Sequence, residues 1–86
     1  VVIGMKDKML PIGTLLRLYD TESIYNVIVL DNFPVIFSGE QTRHYSLHFF
    51  RNGINMGVLA FSENELEELL ITGEAEVLSK GTNNEA

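Results

Sequence analysis

The dipeptide Asn52-Gly53, set between residues 44–51 and 54–61, constrains the fold of this chain more than any other feature. A type I′ turn needs positive φ at both central positions, and Asn-Gly is the pair that supplies it most readily. Both flanking runs are rich in aromatic and aliphatic residues, so they read as the two strands of a hairpin. A two-residue turn places Arg51 opposite Ile54, Phe49 opposite Met56, Leu47 opposite Val58 and Tyr45 opposite Ala60. The last three pairs are apolar on both sides and predict one continuous core face, which a slip of one residue would destroy. The other face pairs Phe50 with Asn55, His48 with Gly57, Ser46 with Leu59 and His44 with Phe61. That face is mixed, so it is either partly exposed or covered by another element.

A helix is predicted to follow at once, over residues 62–72. Ser62 is the N-cap and Glu65 completes a capping box three residues later. Phe61 before the cap and Leu66 after it form a hydrophobic staple. Leu66, Leu69 and Leu70 make one apolar stripe, Glu63 and Glu65 suit the positive end of the helix dipole, and Gly73 supplies the stop. Residues 75–78 can return as a last strand.

Upstream, Leu10-Pro11-Ile12-Gly13 reads as an extended entry with a turn, because proline biases the residue before it away from helix. Residues 14–19 alternate as a strand. Asp20 to Ser23 is a polar turn. Residues 24–30 are apolar on both faces apart from Asn26, as expected of a central, buried strand. Residues 31–34 (Asp-Asn-Phe-Pro) are expected to turn, residues 35–37 to form a short strand ending at Ser38-Gly39, and residues 39–42 to form a loop. The fold expected is mainly β, α+β by element count: a small bent antiparallel sheet or open SH3-like barrel of five to six strands with one C-terminal helix.

Eighty-six residues make one domain, assigned to residues 1–80, with a polar tail expected to be disordered over 81–86. Met5 opens a plausible native start. Val1 to Gly4 read equally well as added residues or as native ones, and if native, Val1-Val2-Ile3 would add an edge strand. A chain this short buries about 60–65% of its unfolded surface, which its 45% hydrophobic content can supply. There is no cysteine, hence no disulfide and no thiolate metal site. No apolar run reaches the ~20 residues of a membrane span, and no signal peptide is evident, so a cytoplasmic, membrane-free setting is expected.

The net charge of −6 is unevenly placed. Between Arg51 and Lys80 there is no basic residue, while Glu63, Glu65, Glu67, Glu68, Glu74 and Glu76 all lie there. Such an acidic end repels phosphate, so nucleic-acid binding is disfavoured.

No residues assemble a catalytic site. His44 and His48 would share one face of a helix, but in a strand they stand ~13 Å apart, too far for one metal ion. No serine or threonine sits in a nucleophile pattern, and Ser62 is accounted for as a cap. The acidic residues fall mostly on the solvent side of the helix rather than in an apolar cleft. The helix is entered through Phe61-Ser62-Glu63, with no glycine and with negative charge, which is no phosphate cradle. No cofactor is expected. Phe50, beside Arg51 on the mixed face, is the best candidate for an exposed aromatic.

Leu10-Pro11-Ile12-Gly13-Thr14, followed by an apolar strand, resembles the opening of a group of short bacterial and phage proteins of unknown function. These begin Leu-Pro-Ile-Gly-Ser/Thr and continue in a Val/Leu-rich strand. Their aromatic residue, acidic helical turn and final strand are similar to residues 61–77. The resemblance covers about half the chain, and it implies a small β-rich fold and a bacterial or phage origin.

The function expected is a non-catalytic, small acidic protein-binding or regulatory module. It would meet its partner with the mixed face around His44, His48, Phe50, Arg51 and Leu59, or with Glu67 and Glu68 of the acidic helix. A homodimer through an unpaired edge strand or the mixed face is a variant of this. The alternative is a small-ligand-binding protein with its pocket at the barrel end or between subunits.

Overall fold

The structure, a computed structural model, describes residues 10–81. The edge strand expected at Val1-Val2-Ile3 and the tail over 82–86 lie outside the described residues. Five strands and one helix follow in order: β1 (Leu15–Tyr19), β2 (Ile24–Phe37), β3 (Glu40–Arg51), β4 (Ile54–Ser62), α1 (Glu63–Thr72) and β5 (Ala75–Ser79). The strands make a single antiparallel sheet in the order β4-β3-β2-β1-β5. It is a bent open sheet and does not close into a barrel, because β4 and β5 remain its two edges.

The helix forms as its caps dictate. The Ser62 hydroxyl accepts from the Glu65 N–H at 3.1 Å and the Glu65 carboxylate accepts from the Ser62 N–H at 2.9 Å. Gly73 ends it at φ 86°, a left-handed conformation that costs glycine nothing. Leu66 is buried, and Leu69 and Leu70 pack partly buried against the same cluster. That cluster is made by Leu16, Val27, Val29, Tyr45, Leu47 and Phe49 from one side of the sheet, joined by Leu10 of the segment before β1. Withdrawing a leucine such as Leu66 from water contributes about 1.5–3 kcal/mol. The helix thus lies across one face of the sheet.

The hairpin turn lies where Asn-Gly puts it, with φ 53° at Asn52 and 80° at Gly53. The register differs from the expected one. Arg51 does face Ile54, but Met56 is skipped, and beyond it Phe49 faces Gly57, Leu47 faces Leu59 and Tyr45 faces Phe61. Gly57 takes φ 104° to make this bulge, and the Asn55 side-chain oxygen accepts its N–H at 2.8 Å. The physical reason lies one element downstream. An unbulged hairpin would put Phe61 on the face away from the helix that begins two residues later. The extra residue turns Phe61 to the core side, where its ring lies 5.9 Å from Phe49 and the staple can form.

The expected turn at residues 31–34 and loop at 39–42 are also corrected. β2 runs unbroken through Asp31-Asn32-Phe33-Pro34 and absorbs the irregularity as a bulge at Leu30. The polar groups are satisfied within the strand: Asp31 accepts the Asn32 N–H at 2.8 Å, and Arg43 donates to the Asn32 side chain at 3.1 Å. Ser38 and Gly39, at φ 53° and 81°, form a second tight turn, and residues 40–42 belong to β3. β1 does not follow β2 past Val29, and β4 follows β3 only as far as His44, opposite Phe33, so Pro34 sits at an open edge where its missing N–H is not needed.

β2 is central, as expected, but it is buried on one face only. Val27 and Val29 are fully buried, whereas Ile24 and Leu30 are exposed. Gly81, expected to start the tail, is instead docked. Its N–H donates to the buried Thr14 hydroxyl at 3.1 Å, and any side chain there would collide with the backbone of Ile12 to Thr14.

Candidate functional site

Strand alternation sorts the expected site residues. His44, Ser46, His48 and Phe50 point to the side of the sheet opposite the helix. The register places His48 between Val58 on β4 and Ile28 on β2, with Leu15 of β1 next in the row. The adjacent row runs Asn55, Phe50, Asn26, Arg17 and Glu76. Among the described residues no element covers this face. Val58 is 52% exposed and Ile24 55%, while Ile28 is half-buried by its neighbours.

The face is organised by ring contacts. The His48 and Phe50 rings lie 4.4 Å apart, and His44 stacks on Phe33 at 6.1 Å. His48 Nε2 lies 2.8 Å from the Asn55 side-chain oxygen, the same oxygen that receives the Gly57 N–H. The bulge therefore also fixes the orientation of His48. At the β5 side Tyr19 donates to Glu76 at 2.6 Å. Its phenol pKa is raised, chiefly by that hydrogen bond to the carboxylate.

The remaining expected residues do not join them. Leu59, expected on the mixed face beside Ser46, is placed by the bulge opposite Leu47 on the helix side of the sheet. It is nonetheless 56% exposed, because β4 is an edge. Arg51 is exposed at the hairpin end and donates to the Ser23 hydroxyl at 3.1 Å. Glu67 and Glu68 lie on opposite flanks of the helix. Glu68 borders a shallow depression with Glu65 and Glu74.

Glu67 belongs to a groove that sequence reasoning missed. Leu10, Tyr45, Leu66, Leu70 and Ile71 floor a cavity of about 260 Å³, and Glu63 and Glu67 stand at it. Tyr45 is buried, and its hydroxyl accepts the Leu10 N–H at 3.0 Å. Burial first, and the nearby Glu63 and Glu67 charges to a lesser degree, push its phenol pKa up. The spacing of Glu63, Glu67, Leu66 and Leu70 along one helix was the available signal; the contribution of Leu10 was not.

Among the described residues, no group of three or more histidine, aspartate or glutamate side chains could hold a metal ion. None of the described helices is long and apolar enough to cross a membrane. Comparison with known protein families, curated proteins and solved structures finds no match.

Proposed function

We propose that this protein is a non-catalytic binding module that takes a protein partner on the uncovered face of its sheet. The observation that supports it is the apolar row Val58, Ile28 and Leu15, extended by the exposed Ile24, with no helix over it among the described residues. A five-stranded sheet normally buries one face and solvates the other with polar residues. Here the second face keeps aliphatic and aromatic groups, the kind of patch that marks an interaction surface. The paired rings of His48 and Phe50 and of His44 and Phe33 add flat, rigid contact area at small entropic cost.

The test is affinity capture from lysate of the source cell with the tagged protein, alongside three variants. One stoichiometric protein, retained by Glu67→Lys and lost with Ile24→Asp, is the expected result. Capture that survives Ile24→Asp and Phe50→Ala would overturn the assignment of this face. The groove beside α1 favours a second reading, a small-ligand site for an apolar body carrying a positive charge. A thermal-shift screen with alkyl and aryl amines tests it, with loss of the shift in Glu67→Gln expected.

A further inference from the structure

The edge formed by β4 is unlike an edge that a solitary sheet would present. From Asn52 to Ser62 no residue is charged, and every residue from 54 to 60 is exposed. Edges are usually blunted by charge, proline or shortness. The opposite edge, β5, is five residues long and carries Glu76. α1 leaves the end of β4 and packs toward β5, so it does not cover the β4 edge.

The direction of the backbone groups follows from the turn. Residues flanking a two-residue hairpin turn bond to each other, so Arg51 and Ile54 form a bonded pair. β3 is regular along this ladder, so Phe49, Leu47 and Tyr45 also turn their N–H and C=O groups to β4. Their partners Leu59 and Phe61 turn theirs back, while at the bulge the Gly57 N–H is held by the Asn55 side chain. Val58 and Ala60 must therefore direct theirs outward. The row ends there, because the Ser62 N–H is taken by the Glu65 carboxylate.

We propose that β4 pairs with β4 of a second copy of this chain, antiparallel about a two-fold axis passing between the two Leu59 residues. In this register Val58 of each copy bonds to Ala60 of the other. Every outward N–H and C=O of Val58 and Ala60 then has a partner. Leu59, 56% exposed in the single chain, meets its own counterpart at the closely spaced, non-bonded rung, with Cβ atoms about 5 Å apart. Charge favours the same direction. Antiparallel pairing brings Glu63 of one copy to Asn55 of the other, at the end that carries Arg51, and keeps the two acidic helices apart. Both uncovered faces fall on the same side of the resulting ten-stranded sheet. This interface therefore goes beyond the partner face proposed above and does not compete with it.

The chain has no cysteine, which makes a self-crosslinking test clean. At a non-bonded rung the Cα atoms stand about 4.5 Å apart, within the reach of a disulfide. Leu59→Cys is expected to give a covalent dimer under mild oxidation. Ile71→Cys, at an exposed helical position 78% open to solvent, should crosslink only by collision. Pre-association should make the first faster on the order of tenfold or more. Light scattering of the unmodified protein should give twice the 9.7 kDa chain mass. Ala60→Pro removes an outward N–H without touching the β3 ladder, and is expected to return a folded monomer. Leu59→Lys serves the same purpose if the proline variant fails to fold. A single-chain mass up to near-millimolar concentration would overturn the proposal. A dimer in which Leu59→Cys links no faster than Ile71→Cys would overturn it equally, since the contact would then lie elsewhere.

Discussion

Replacing Gly57 by alanine should change sign with the presence of its neighbour Met56. Gly57 holds φ 104°, and an alanine Cβ there would meet nothing within 4 Å. The cost of Gly57→Ala is thus backbone strain alone, about 1–2 kcal/mol. For a domain of this size that lowers Tm by roughly 4–16 °C. Met56 is the residue that has no partner on β3, while Asn55 and Gly57 face the consecutive residues Phe50 and Phe49. Deleting Met56 should therefore leave every downstream pair in place and make the ladder regular, with residue 57 in an ordinary extended conformation. In that background alanine is the better strand residue, and Gly57→Ala should stabilise by about 0.5–1 kcal/mol. Urea unfolding of the four proteins, the parent, each single change and the double change, measures the cycle. The same sign in both backgrounds would refute the assignment of the bulge to Met56 and Gly57. Deleting Leu59 is the contrasting control. It throws Phe61 onto the wrong face, and the helix should lose its anchor.

Two further outcomes are expected. Tyr45 has a phenol pKa raised above its ordinary value of 10.0 by burial. The unfolded chain therefore loses its proton first as pH rises, and stability is full below about pH 10 and declines above it; Tyr45→Phe should flatten that alkaline decline in a pH series of denaturation curves. It should also cost about 1–3 kcal/mol at neutral pH by leaving the Leu10 N–H without its acceptor. Gly81→Ala should destabilise through collision with the backbone of Ile12 to Thr14, whereas Lys80→Ala should be within about 0.5 kcal/mol of neutral in the same assay.

What was legible in the sequence was whatever a local rule decides. Asn52-Gly53, the Ser62/Glu65 box and Gly73 each act within a few residues, and each stands where it was read. The hairpin register was not legible from the hairpin alone. Two local rules conflict there: perfect pairing on the Asn-Gly turn puts Phe61 outside, and the helix staple needs it inside. Asn55-Met56-Gly57 settles the conflict, and a glycine two residues past Asn55 was the visible trace of it. Residues 31–34 misled for a related reason. Asp, Asn and Pro favour turns, but here polar groups of Asp31 and Asn32 are satisfied by Arg43 and by one another along a stretch of β2 that β1 no longer accompanies. Of the candidate site, the strand alternation correctly grouped His44, His48 and Phe50. Leu59 followed the register and moved with it, and the groove at Tyr45 required Leu10, a contact across 35 residues that no local pattern encodes.

The position of β1 between β2 and β5 has a consequence for the order of folding. β2, β3 and β4 are joined by tight hairpins, and each can zip onto its predecessor by closing a loop of a few residues. β1 gains its second neighbour only when Leu16 meets Val77, across most of the described chain. That closure is entropically the most expensive pairing in the sheet, and its reward comes only once α1 has covered the core. During synthesis the hairpins can form early, but β1 stays half-paired until Ala75–Ser79 has emerged. Loss of those few residues should therefore slow or abort folding far more than it changes the hairpin core.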